Sequence, residues 1–275
     1  MNKHTLIVAC GWLGTPLAQT LLSDKQTVSA TTQTVSHAQD LLKQGIMSTA
    51  LPLPIDSLPE DRVWYGAIKK AEQVVILLPF KRGLTDPKVY LDQLRSLEKL
   101  WPYTAMETLI LASSTSVYPD DRGEWSEDMP IPDHGERASI LVQAEDWALD
   151  QPCKRNVVLR FGGLHGADRN GQQAIAKQPS LTSNPNPTNL IHQKDAVRVL
   201  THFVTAPHQS GRYNVVTDEH PSKAAFYQKI AQDNGLSIPT QENIMTKGKI
   251  VTNTKLKTEL KIALHHPDPM AFYEH

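Results

Sequence analysis

The chain has 275 residues, enough for one large α/β domain or a domain with a smaller lobe. Its hydrophobic residues (40%) and charged residues (21%) are ordinary for a globular protein, and a formal net charge of −1 leaves no basic stripe for nucleic acid. Two cysteines, Cys10 and Cys153, cannot build a disulfide framework or a zinc site. No apolar run approaches a membrane span and no secretory leader precedes the first strand, so the expected setting is cytoplasmic and reducing.

The first strand is expected at Thr5–Ala9, followed by a turn over Cys10–Gly14 and a helix with Leu13, Leu17 and Leu21 on one face. Strand, glycine turn and helix is the context in which a glycine fingerprint means dinucleotide binding. Gly11 lets the backbone approach a pyrophosphate, the N–H groups of Trp12 and Leu13 point at it, and Gly14 lets helix and strand pack closely. The first glycine of G-x-G-x-x-G is Ala9 here, which holds that place if the turn needs no positive φ. A thiol at a helix N-terminus would be acidified, but Cys10 reads more plainly as a small residue in a tight turn.

Further along, strands are expected at Thr27–Thr31, Ile46–Leu53, Gln73–Leu78, Glu107–Ala112, Asn156–Phe161 and Arg212–Val216. Helices alternate with them at Val35–Lys43, Glu60–Lys70, from Asp86-Pro87 through Leu100, and at Glu136–Leu149. Pro119–Gly135 reads as a polar loop, and Asn170–Asn189 as a loop over the crevice. Helices at Gln193–Thr205, Ser222–Asn234 and Lys255–Leu260 complete the chain. The pattern is an α/β, Rossmann-type doubly wound parallel sheet, with a dinucleotide-binding domain over 1–165 and a small substrate lobe of interleaved segments over 166–275.

Ligands of such a sheet lie over the carboxyl ends of its strands. The ends to inspect are Ala9–Gly14, Thr31–Gln33, Leu78–Phe80 and Ser113–Tyr118, and Thr32, Gln33, Leu78, Pro79 and Ser113 are assigned to the cofactor. NAD sites usually place a carboxylate after the second strand, to accept from the ribose 2′-OH. Here Thr31-Thr32-Gln33-Thr34-Val35-Ser36 contains none, which leans to NADP over NAD, although no Arg or Lys follows before Lys43.

Four segments together carry a resemblance: Ala9–Gly14, Ser113-Ser114-Thr115-Ser116-Val117-Tyr118, Leu159–Gly166 with Arg169, and Asn189-Leu190-Ile191-His192-Gln193-Lys194-Asp195. The chain resembles the extended short-chain dehydrogenase/reductase superfamily, specifically NAD-dependent epimerase/dehydratase-like proteins and their atypical branch. The resemblance implies that Ser114 orients the reacting hydroxyl and that Gly162, Gly163 and Leu164 line the nicotinamide end. It also implies that Arg169 faces a substrate phosphate, and a homodimer through Asp86–Leu100 and Glu136–Leu149.

One departure concerns the chemistry. The family's Tyr-x-x-x-Lys pair, with Tyr as general acid/base, falls here on Arg137 and Leu141, and no realignment restores it: no Tyr lies between Tyr118 and Tyr213, and no Lys between Lys99 and Lys154. Tyr118 and His165 are the remaining candidates beside water, with His134 behind them; Arg137 cannot act as a base but can hold an anion. His192 and Asp195 read as fixing a turn and capping the helix at Gln193, and His265-His266 as surface residues without partners at metal spacing. Three functions remain: an NAD(P)-dependent oxidoreductase or epimerase/dehydratase-like enzyme on a sugar-nucleotide-like or phosphorylated hydroxy compound, a catalytically silent dinucleotide-binding sensor, and, last in order, a protein-interaction scaffold with an empty cleft.

Overall fold

The computed structural model describes residues 3–58, 62–81, 86–121, 123–166, 169, 171–178, 182–206, 209–236 and 248–272. Its strands are β1 (His4–Val8), β2 (Thr27–Thr32), β3 (Met47–Ala50), β4 (Gln73–Ile76), β5 (Thr108–Ser114), β6 (Gly123–Trp125), β7 (Arg155–Phe161), β8 (Gly163–His165), β9 (Leu190–His192), β10 (Gly211–Val215) and β11 (Lys249–Val251). The helices are α1 (Gly14–Ser23), α2 (Val35–Lys43), α3 (Arg62–Ile68), α4 (Val89–Ser96), α5 (Glu136–Leu149), α6 (Gln172–Lys177), α7 (Gln193–Thr205), α8 (Lys223–Asp233) and α9 (Thr254–Leu260).

Seven strands form one sheet in the order β10-β7-β5-β4-β1-β2-β3, the Rossmann-like arrangement the sequence predicts. Every residue of β1 and of β4 is buried, as expected of continuous apolar runs covered on both faces. The order reverses beside β1, whose parallel neighbours are β2 and β4, and this is the switch point over which a crevice opens. One polar residue inside β4, Gln73, is fully satisfied: its amide accepts from Thr5 Oγ1 (2.9 Å) and donates to the Val204 carbonyl (2.5 Å).

The chain divides into two compact units. The first comprises Met1–Ser113, Asp133–Leu159 and Leu200–Arg212; the second comprises Ser114–Pro132, Arg160–Val199 and Tyr213–His275. The second unit therefore takes in Ser114–Pro132, far upstream of residue 166. Its small sheets pair β8 with β9 and β6 with β11, both parallel. Among the described residues no helix is long and apolar enough to cross a membrane.

Several elements differ from expectation. β3 stops at Ala50 because Pro52 and Pro54 follow. The helix after Asp86 keeps α geometry only to Ser96 and continues as a 3₁₀ turn over Leu97–Tyr103, which contains Pro102. Part of the expected loop at Asn170–Asn189 is the helix α6, whose Ile175 packs into a buried cluster with Leu190, Phe226 and Ile230. Part of the expected Pro119–Gly135 loop is β6.

Candidate functional site

In the first unit, a cavity of about 450 Å³ opens at the switch point. The turn after β1 supplies Ala9, Cys10 and Gly11, and the end of β2 supplies Thr31, Thr32 and Gln33. His37 of α2, Leu51 and Leu53 after β3, Leu78, Pro79 and Lys81 after β4, and Gln93 of α4 complete the lining. Among the described residues no carboxylate lines it, and His37 and Lys81 are the lining side chains able to carry positive charge.

The turn's three small positions have three separate reasons. Ala9 sits at φ +58, left-handed backbone, so the turn does require a positive φ at this place and Ala9 adopts it. Thr31 holds it there: Ala9 N–H donates to Thr31 Oγ1 (3.2 Å) and Cys10 N–H to the Thr31 carbonyl (2.8 Å). Gly14 is glycine for packing, since a Cβ there would lie 3.1 Å from Cys10 Sγ and 3.2 Å from Leu77 Cδ1. Gly11 is different. A Cβ on it would meet nothing nearer than the Ala9 carbonyl oxygen at 3.9 Å, an ordinary contact, so the protein's own packing does not demand glycine there.

Six of the predicted cofactor residues (Ala9, Gly11, Thr32, Gln33, Leu78 and Pro79) share this cavity, while Trp12 and Leu13 lie in the turn before α1, Gly14 opens it, and none of these three is among the lining. Ser113 is engaged elsewhere: it donates to buried Glu145 Oε1 (2.6 Å), whose other oxygen accepts from Arg212 Nε (3.0 Å). Cys10 is not acidified, because burial pushes its thiol up to about 12. Sequence reasoning missed His37, Leu51, Leu53, Lys81 and Gln93. Lys81 lies one residue past the strand end singled out at Leu78–Phe80, so a slightly longer window would have found it.

On α5, Arg137 is bound within the first unit. Its guanidinium donates to the carbonyls of Phe80 (2.6 Å) and Lys81 (3.0 Å) and stacks 3.8 Å over the Phe80 ring. Leu141, at the position of the family's Lys, is 1% exposed in the core.

In the second unit, Ser114 caps the 3₁₀ turn over Thr115–Val117; its Oγ accepts from Ser116 N–H (3.2 Å) and Ser116 Oγ–H (2.9 Å). Tyr118 is buried. Its hydroxyl accepts from Arg160 (2.7 Å), itself 2% exposed, and lies 2.9 Å from Asn214 Oδ1 and 3.2 Å from the Ser126 carbonyl. Asn214 N–H donates to Glu127 (2.6 Å), and Lys249 donates to the Tyr118 carbonyl (2.6 Å). Burial raises the Tyr118 phenol and the Glu127 carboxyl and lowers the Lys249 ammonium. This network joins β6, β11 and the residues after β5, leaving the phenol fully engaged in holding its own unit together.

His165 packs edge-on to Phe226 (5.0 Å) and beside Phe272 (6.2 Å), and burial lowers it to about 4, so it stays neutral at pH 7. The Gly162 position is dictated by packing: a Cβ would lie 2.6 Å from the Asn189 carbonyl oxygen. Gly163 is exposed, Leu164 half-buried, and Arg169 is exposed, its N–H bonded to the Gly166 carbonyl (2.9 Å). At the start of α7 the His192 Nδ1 accepts from Lys194 N–H (3.3 Å), and Asp195 fixes a turn at residues 265–266. Asp195 is 0% exposed and accepts from His265 N–H, His266 N–H and His266 Nδ1, at 2.8, 2.8 and 2.9 Å. His266 is therefore no free surface residue, and its ring stacks on His192 at 4.0 Å. No cluster with metal-ligating composition occurs among the described residues.

No protein-family model matches the sequence. Protein YeeZ of Escherichia coli (strain K12) is 29% identical over 270 residues, 98% of each chain. MoeE5 in complex with UDP-glucuronic acid and NAD is similar in structure with a TM-score of 0.73 at 18% identity, over 98% of this chain and 97% of that one. The human epimerase family protein SDR39U1 (isoform 2) with NADPH is similar with a TM-score of 0.70 at 18% identity, over 98% and 97%. Over its full length the chain has the fold of NAD-dependent epimerase/dehydratase and short-chain dehydrogenase/reductase proteins.

Proposed function

We propose that the first unit binds a nicotinamide dinucleotide, NADP(H) in preference to NAD(H), and that the protein is an oxidoreductase or epimerase/dehydratase-like enzyme acting on a sugar-nucleotide-like or phosphorylated hydroxy compound. Gly11 is the observation that carries the first half. It lines the cavity, its neighbours leave room for a Cβ, and a glycine that packing does not need is accounted for by a ligand's close approach to the backbone. The preference for NADP(H) rests on a lining whose described residues include His37 beside Thr32 and Gln33 and no carboxylate. MoeE5 holds NAD and SDR39U1 holds NADPH, so the fold accommodates either.

When bound, the dinucleotide supplies a hydride acceptor or donor. The chain's own part is binding, orientation and proton handling. Ser114 Oγ, which accepts from Ser116 and is half-buried, is left with its own proton to donate and would orient a substrate hydroxyl. MoeE5 binds UDP-glucuronic acid, which supports a sugar-nucleotide class. Arg169, exposed on a turn, would meet a phosphate of that substrate. The proton at the reacting hydroxyl would pass to water, since Tyr118 is sealed by Arg160 and Asn214 and His165 by aromatic rings.

That same engagement of Tyr118 and His165 favours a second reading, a dinucleotide-binding sensor without turnover. The experiment is a titration with NADPH and NADH, followed by fluorescence and thermal shift, on wild type and Gly11→Val. We expect tight binding of NADPH, weaker binding of NADH, and loss of both in the variant at little cost in melting temperature. A Gly11→Val protein that binds as wild type refutes the cofactor assignment. Cofactor oxidation that stays at background with a panel of sugar nucleotides, in a protein that binds normally, selects the sensor.

A further inference from the structure

Arg137 stands where the resemblance expects the general acid/base, yet it has another task in the first unit. Its fork reaches two successive carbonyls, those of Phe80 and Lys81, at 2.6 and 3.0 Å. Phe80 is held by two ring contacts: the Arg137 guanidinium lies 3.8 Å from its centroid, and the buried Tyr90 ring stacks on it at 4.7 Å and 19°. Tyr90 Oη also lies 3.5 Å from the Leu78 carbonyl. Strand pairing ends at Leu77, whose N–H still bonds the Val8 carbonyl (3.0 Å), and beyond it side chains from α4 and α5 contact the segment Leu78–Lys81. That segment is one wall of the cavity, and it brings Lys81 to a pocket whose β2 side has no Arg or Lys.

We propose that Arg137 is a positioning residue for dinucleotide binding: by bracing the Phe80 and Lys81 carbonyls it aims the Lys81 ammonium at the phosphates of the ligand. The inference rests on the cofactor reading above. Lys81 then supplies a cation to the group common to both nucleotides, the pyrophosphate. An Arg is suited to this because only a planar fork can donate to two neighbouring carbonyls while its face stacks on a ring.

Kd values for NADPH and NADH, measured by titration calorimetry on wild type, Lys81→Met, Arg137→Met and the double variant, test it. Lys81→Met is expected to weaken both nucleotides by about tenfold, the loss of one charge-assisted contact, and Arg137→Met by a similar factor. If Arg137 acts through Lys81, the double variant binds as Lys81→Met alone, a non-additivity that a general structural role would not produce. Unchanged affinity in Arg137→Met, or additive losses in the double variant, overturns the proposal. Should Arg137→Met fold poorly, Arg137→Lys is read instead: it keeps the charge and one carbonyl contact, so a loss of about threefold is expected, and wild-type affinity overturns the idea. A wild-type protein that binds neither nucleotide overturns the cofactor reading and this inference together. A wild type that binds beside an indifferent Arg137→Met overturns this inference alone.

Discussion

Replacing Ala9 with glycine should stabilise this protein. Ala9 holds φ +58 at the start of the glycine turn after β1. Left-handed backbone costs an L-residue about 1–2 kcal/mol, because Cβ crowds the following carbonyl oxygen, and glycine avoids that cost. Glycine also widens the unfolded ensemble, which takes back about 0.4–1 kcal/mol. The difference is a gain of about 0.5–1 kcal/mol, and in a chain of this size that raises the melting temperature by roughly 1–3 °C. The native turn should not change, because Thr31 fixes it through its hydroxyl and carbonyl regardless of the side chain at 9. Differential scanning calorimetry of Ala9→Gly measures the effect, with Lys25→Gly (φ 60) as an exposed positive control and Ala30→Gly, buried in β2, as a negative one. If Ala9→Gly melts below wild type while Lys25→Gly melts above it, the methyl of Ala9 contributes more by packing than its backbone loses in strain, and the reasoning fails.

His165 and His192 are both lowered to about 4, chiefly by burial; the charges of His192 and Arg169 add to this at His165, and that of His266 at His192, where Asp195 opposes. Their unfolded values are higher, so the unfolded chain binds more protons below about pH 6.5. Stability should therefore be full above that pH and fall towards pH 4, at up to about 1.4 kcal/mol per pH unit for each ring. Urea midpoints at pH 7.5, 6 and 5 follow this, and a His165→Phe/His192→Gln variant that keeps the full slope would contradict it. Gly162→Ala pushes a Cβ to 2.6 Å from the backbone oxygen of Asn189 and should cost about 1–3 kcal/mol in chemical denaturation, whereas Gly11→Ala, with 3.9 Å of room, should be close to neutral in the absence of ligand. Arg212→Met removes the guanidinium bonded to the fully buried Glu145, for a loss of about 3 kcal/mol; adding Glu145→Gln should restore a good part of it, and failure to do so would mean that the charge is not what makes the loss.

The strand-turn-helix over residues 4–23, the apolar β4 and β7, and the capped helices α2 and α8 could be read in advance, because each is specified by residues adjacent in the chain: apolar runs, a glycine turn, Thr34 and Ser222 at helix starts. From them followed the sheet, its switch point and six of the cavity's lining residues. The absence of the Tyr-Lys pair was equally plain, being a matter of which residues occur where.

Tertiary structure decided the rest. The three-residue strands β6 and β11 are too short to show a period, and each is defined by a partner more than a hundred residues away. Asp195 meets His265 and His266 across about seventy positions, a bond no local pattern announces. Lys81 and Gln93 become lining residues only once β4 and α4 are placed beside the β1 turn. Arg137 could be recognised in the sequence as the wrong residue for acid/base chemistry; that its fork braces the wall beside Lys81 depends on two carbonyl positions set by packing. Local propensity and periodicity write elements into the chain. The geometry of a site comes from long-range contacts, which only the assembled sheet and its helices bring within hydrogen-bonding distance.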